Sequence, residues 1–82
     1  MRESELEKKL VSHITKLGGI AYKFSSPNRR SVPDRLCVMP NGRAFFVELK
    51  TKGKTPTALQ QHEHETLRAL GHTVLEIGRA HV

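Results

Sequence analysis

The stretch Ala44-Phe45-Phe46-Val47-Glu48-Leu49-Lys50 sets an acid and a base into an otherwise apolar run, and Pro33-Asp34 precedes it across a turn at Pro40-Asn41-Gly42-Arg43. A β-strand projects alternate side chains to opposite faces, so Val47 and Leu49 share one face while Glu48 and Lys50 share the other. Burying an ionised group costs several kcal/mol unless it is paired or binds a metal. A Glu-x-Lys pair on a mostly buried strand therefore needs a structural partner or a function. Asp34 brings a second carboxylate from the strand before the turn. Two carboxylates and a lysine at one place suit metal-assisted phosphodiester hydrolysis: the acids hold a hard cation such as Mg²⁺, while the lysine orients water and offsets developing negative charge. Taken singly, each residue has a plainer reading, Asp34 as a strand-initiating acid after Pro33 and Glu48 with Lys50 as an ion pair on an exposed face. The joint spacing favours the site.

The flanking elements follow from periodicity. Leu6, Leu10, Ile14 and Leu17, widened by Val11, recur at helical spacing and predict an amphipathic helix over residues 3–17, stopped by Gly18-Gly19. Ile20, Tyr22 and Phe24 alternate with Ala21 and Lys23, the pattern of a strand with one apolar face, and Ser25 to Pro33 reads as a polar, basic loop. Arg35 to Met39 is a second strand. Asparagine and glycine tolerate positive φ, so Asn41-Gly42 makes strands two and three an antiparallel hairpin. Centred there, facing residue numbers sum to about 83, give or take one residue of register, which puts Asp34 opposite Leu49 and one diagonal step from Glu48 or Lys50. Thr57 to Leu70 predicts a second helix with Leu59, Leu67 and Leu70 as its apolar residues, stopped by Gly71, and Thr73 to Ile77 a last strand. The second helix crosses over to lay that strand parallel to the third. The expected fold is α/β, one domain over residues 1–82 in the order αβββαβ with a mixed four-stranded sheet. Gly78 to Val82 carry little structural signal.

An 82-residue chain buries only about 60 to 65% of its unfolded surface, so dimerisation would help its core. A net charge of +6 favours a polyanionic partner, and two basic clusters flank the acids: Lys23, Arg29, Arg30 and Arg35, then Lys50, Lys52 and Lys54. The single Cys37 excludes a disulfide framework and a cysteine-rich zinc site, and is expected to face the interior. The charged amino terminus and the absence of an eighteen-residue apolar run argue for a cytoplasmic, membrane-free protein.

Pro33-Asp34 with Glu48-Leu49-Lys50 resembles the PD-(D/E)xK nuclease motif, whose common core has the same helix, three strands, helix, strand order. The closer likeness is to the VRR-NUC family. Gly18-Gly19, Lys23-Phe24, Ser26-Pro27, Val32 to Arg35, Gly42-Arg43, Phe46 to Lys50, Gln60 and Leu67 to Gly71 all resemble its stand-alone phage members. The resemblance implies a Mg²⁺- or Mn²⁺-dependent nuclease, in a family whose stand-alone members are similar to Holliday-junction resolvases and act as homodimers, working in a bacterial cytoplasm or a phage-infected host. It implies that Asp34 and Glu48 are the metal-binding acids, that the Leu49 carbonyl completes the metal shell and that Lys50 positions the attacking water. It also implies two further site residues, an acid on the first helix matched by Glu7, with Glu3 as substitute, and a helical glutamine matched by Gln60. Each has a plainer role as the closing residue of a capping box, Ser4 with Glu7 and Thr57 with Gln60. Asn28 and Ser31 stand where relatives commonly carry glycine, so the loop backbone is expected to differ, and Arg29-Arg30 precede Ser31-Val32 in place of a literal valine-arginine-arginine.

A zinc site at His62, His64 or His72 is disfavoured, because residues two apart on a helix point in different directions, and these histidines, like His13, are expected at the surface. The domain has no recognition-helix pattern, so contacts to phosphates and selectivity from DNA shape are expected. The leading expectation is a structure-selective endonuclease on branched DNA. Flaps, nicked duplex and linear ends are alternative substrates, and a DNA-binding module without activity is the rival class; all three motif residues are present, which ranks it lower.

Overall fold

The structure, a computed structural model, describes residues 2–51 and 54–78. Leu6, Leu10 and Ile14 turn one face of α1 (Glu3–Lys16) toward the sheet, with Ile14 buried. Glu3 and Glu5 in the first turn complement the helix dipole, and the Glu5 carboxylate accepts the Arg2 N–H at 3.1 Å. Leu17 lies just beyond the last turn and is half exposed. Gly18 takes φ 86°, and a Cβ at Gly19 would lie 2.6 Å from Met39 Sδ and 2.8 Å from the Val38 carbonyl. The pair therefore ends the helix and lets the chain pass tightly against the next hairpin.

β1 (Ile20–Lys23), β2 (Arg35–Val38), β3 (Ala44–Lys50) and β4 (Val74–Gly78) form one sheet in that order, antiparallel at the first two pairings and parallel between β3 and β4. The crossover from β3 runs through α2 (Ala58–Ala69), as the sequence predicts. The β2–β3 register is one residue off expectation. Val38 pairs with Ala44 and Arg35 with Val47, so facing numbers sum to 82. Pro40 joins the connection with Asn41 (φ 66°) and Gly42 (φ 76°), giving three connecting residues closed by a bond from Met39 N to the Arg43 carbonyl. Extended one step, this register sets Asp34 across from Glu48 on the same face.

The α1 side of the sheet holds the apolar core. Ile14, Cys37, Val47 and Leu49 are buried together, flanked by Leu6, Leu10, Ala21, Met39 and Phe45. Each fully buried Val or Leu adds about 1.5 to 3 kcal/mol. Cys37 is enclosed as expected, and burial raises its thiol pKa. In β1 the inward residue is Ala21, contrary to the pattern reading. Ile20 and Tyr22, both 51% exposed, face the other side, where α2 covers only the β3–β4 half. α2 also departs from expectation, with Leu59 52% and Leu70 70% exposed while its buried residues are Glu63 and His64. Its inward stripe is Gln60, Glu63, His64 and Leu67, at helical spacing, because the strand positions it covers carry charge.

Candidate active site

Asp34 sits between the basic loop and β2. Pro33 before it is buried, the Asp34 carbonyl accepts the Phe24 N–H at 2.8 Å, and the Asp34 side-chain Oδ2 accepts the Leu49 N–H at 3.0 Å. That last bond ties one acid of the motif to the backbone beside the other. Glu48 is 1% exposed. Its Oε2 receives the Lys50 ammonium at 3.2 Å and the Gln60 side-chain N–H at 3.2 Å. Its Oε1 is buried with no hydrogen-bond partner among the described residues. Burial pushes the Glu48 pKa up, the neighbouring Asp34 charge adds to the rise, and Lys50 opposes it.

Gln60 does both jobs between which the sequence leaves a choice. Its amide oxygen accepts the Thr57 N–H at 2.9 Å while Thr57 Oγ1 accepts the Gln60 N–H at 3.1 Å, a complete capping box. Its amide nitrogen remains free to donate to Glu48. The helix cap thus fixes the rotamer that reaches the acid.

The remaining expected residues divide. Glu7 is drawn to Arg35 at 3.5 Å on the α1 side, and neither it nor Glu3 bonds to Asp34 or Glu48. The Ser4–Glu7 box is not formed, because the helix starts earlier and Glu5 closes its first turn. Arg35, 14% exposed at its side chain, also donates to the Ala21 carbonyl at 3.2 Å, so it faces the core side. Arg29 forms a two-nitrogen fork on Glu63, with contacts at 2.5, 3.0 and 3.2 Å, which straps the basic loop to α2. That guanidinium holds the Glu63 carboxyl below the usual range. Lys23, Arg30 and Lys54 are exposed, and Lys50 and Lys54 line a cleft of 160 Å³ at the β3–β4 end of the sheet. Lys52 lies outside the described residues. Ser31 takes φ 63°, the left-handed conformation that glycine would adopt, so the substitution leaves the glycine-like backbone in place.

His64 corrects the expectation of surface histidines. It is fully buried, with Nδ1 2.5 Å from Glu76 Oε2 and Nε2 3.9 Å from Glu48 Oε1. Two signals were available: His64 lies four residues from Gln60 on one helix face, and Glu76 pairs in register with Glu48. The second depends on the crossover register, which periodicity does not supply. His62 is exposed as expected, and His72 packs edge-on against Phe46 at 6.2 Å.

Among the described residues no three of His, Cys, Asp and Glu converge on a point, so this is no protein-only metal cage. The residues fit a hard cation of another kind. Mg²⁺ takes one or two carboxylates and fills its octahedron with water and phosphate oxygens, and Glu48 Oε1, buried and without a hydrogen-bond partner among the described residues, on a carboxylate that feels the Asp34 charge, is such a donor.

No protein-family model matches the sequence. A protein of Acyrthosiphon pisum secondary endosymbiont phage 1, named "Putative nuclease p44", is 57% identical over 75 residues, covering 92% of this chain and 81% of the relative. A solved structure described as "VRR_NUC domain" superposes with a TM-score of 0.88 at 34% identity, over 93% of this chain and 83% of its own. Element order and the mixed four-stranded sheet match that fold, and the chain belongs to the VRR-NUC family of the PD-(D/E)xK nuclease superfamily as a phage-type member.

Proposed function

We propose that the protein is a Mg²⁺- or Mn²⁺-dependent endodeoxyribonuclease that cuts branched DNA, four-way junctions foremost, as a homodimer in the bacterial cytoplasm. The observation that carries this reading is Glu48: a buried acid whose Oε1 has no hydrogen-bond partner among the described residues and whose pKa is raised by burial and by the Asp34 charge, an arrangement whose cost a bound cation would offset. Family membership supports phosphodiester hydrolysis. A bound divalent cation supplies Lewis-acid polarisation of a phosphoryl oxygen and acidifies water. Asp34, Glu48 and the Leu49 carbonyl are the oxygens that would hold that ion. The Leu49 N–H keeps the Asp34 carboxylate turned toward β3. Lys50 orients the attacking water and offsets charge gathering on the phosphate, and the 3′-oxygen leaves. Gln60 holds the Glu48 carboxylate in place.

DNA as substrate accords with the net charge of +6, and exposed Lys23, Arg30 and Lys54 are suited to phosphates. Arg29 contributes by securing the loop that carries Arg30. Pairing of two copies would present two sites to strands of opposite polarity, and Ile20, Tyr22 and Val38 leave apolar surface on the half of the sheet beyond α2. Among the described residues no helix is long and apolar enough to cross a membrane. The reading is tested by incubating labelled junctions, flaps, nicked duplexes and linear duplexes with Mg²⁺ or with chelator. Cleavage of junctions that chelator stops is expected, with light scattering at twice the 9.2 kDa chain mass. Equal cutting of linear duplex would leave a nuclease without junction selectivity, and cutting in chelator would overturn the metal site.

A further inference from the structure

We infer that His64, held by Glu76, is a positioning residue that sets the Glu48 carboxylate for its cation; this rests on the reading of Asp34 and Glu48 as the metal acids. Both His64 nitrogens are deep in the fold, the side chain being 0% exposed. A carboxylate only accepts, so Nδ1 donates its proton to Glu76 Oε2 at 2.5 Å, and Arg68 steadies that acid from 3.7 Å. With the ring orientation so fixed, Nε2 is aimed at Glu48 Oε1. These two atoms face each other at 3.9 Å, and both are buried without another partner among the described residues.

The contact completes a division of labour on one carboxylate. Lys50 and Gln60 both engage Oε2, and among the described residues His64 alone stands opposite Oε1. With its proton on Nδ1, Nε2 presents a lone pair to Oε1, and two acceptors repel, so the imidazole sets the limit of the carboxylate's rotation. The arrangement is costly as packing, since an apolar side chain would fill the space with no polar atom to satisfy. Outer partners of this kind typically change metal affinity or activity about 10- to 100-fold when removed.

Asn and Gln substitutions separate the two halves of the imidazole. The amide nitrogen of Asn stands near the Nδ1 position and keeps the bond to Glu76, whereas the amide of Gln stands near Nε2 and faces Glu48 in its place. Calorimetric titration with Mn²⁺ is expected to show His64→Asn weakened about 10- to 100-fold and His64→Gln within a few-fold of wild type. Should the Asn protein fail to fold, Glu76→Gln, which retains the histidine and the shape of its partner, is expected to weaken Mn²⁺ about 10-fold, with melting temperatures recorded alongside. Wild-type affinity in both the Asn and Glu76→Gln proteins overturns the inference. So do equal losses in the Asn and Gln proteins, because a role in packing alone does not tell the two amides apart. Glu48→Gln is the control: if it binds Mn²⁺ like wild type, the metal-site reading has failed and this inference with it.

Discussion

On the α1 side of the sheet the buried residues are Ile14, Cys37, Val47 and Leu49, whereas the α2 side buries Glu48, Glu63 and His64. The same strand supplies both sides, since β3 alternates Val47 and Leu49 with Glu48. Apolar packing on one face is self-sufficient. On the other, each charge has to be accounted for, and the two buried glutamates are accounted for differently. Glu63 is fully engaged by the Arg29 guanidinium and its pKa falls; Glu48 keeps one oxygen without a hydrogen-bond partner among the described residues and its pKa rises. A satisfied acid is structural, and an unsatisfied acid beside a second carboxylate is a place for a ligand.

The contrast breaks most readily at the acids. Asp34→Asn should cut the rate of junction cleavage by about three to four orders of magnitude, the several kcal/mol that a Lewis-acid ion supplies, with DNA binding retained in gel-shift assays. Lys50→Ala should lose about a hundred- to a thousandfold in rate, yet still bind Mn²⁺ by calorimetry, because the lysine acts on water and charge. An unchanged rate would reduce Lys50 to an ion-pair partner of Glu48. On the apolar face the consequence is stability: Leu49→Ala should cost about 2 to 5 kcal/mol in denaturant unfolding.

The smallest expected effect is pH-dependent. The Glu63 pKa is lowered in the folded protein, so its contribution to stability is present above the unfolded carboxylate pKa and is lost as pH falls through the folded value. Glu63→Gln should therefore melt below wild type at neutral pH, with the deficit shrinking in acid. A deficit that persists unchanged at low pH would mean that the Arg29 strap owes nothing to the charge of Glu63.

The fold was largely legible because its signals are local: Leu6, Leu10 and Ile14 repeat at helical spacing, Gly18-Gly19 and Asn41-Gly42 mark chain reversals, and β3 alternates. Asp34, Glu48 and Lys50 were legible as a spaced motif and Gln60 through the family resemblance, and the structure brings Lys50 and Gln60 onto Glu48. What was not legible depends on distant pairings. Glu76 reaches His64 only through the parallel crossover, Arg29 meets Glu63 34 positions away, and Arg35 meets Glu7 across 28. Charge counts in the sequence treat all three arginines of the first basic cluster alike, while the structure leaves Arg30 exposed and commits Arg29 and Arg35 to acids. Leu59 and Leu70 misled because hydrophobic periodicity presumes an apolar floor, and the floor beneath α2 is polar.

Glu48→Gln tests the central claim most directly, since it removes the charge and keeps the shape and the Gln60 contact. Single-turnover cleavage of a four-way junction across a Mg²⁺ series should fall to background at every concentration, while the melting temperature stays at or above wild type because a buried, crowded charge has been relieved. Cleavage at the wild-type rate would contradict the account, as would a variant whose lost activity is matched by a lowered melting temperature.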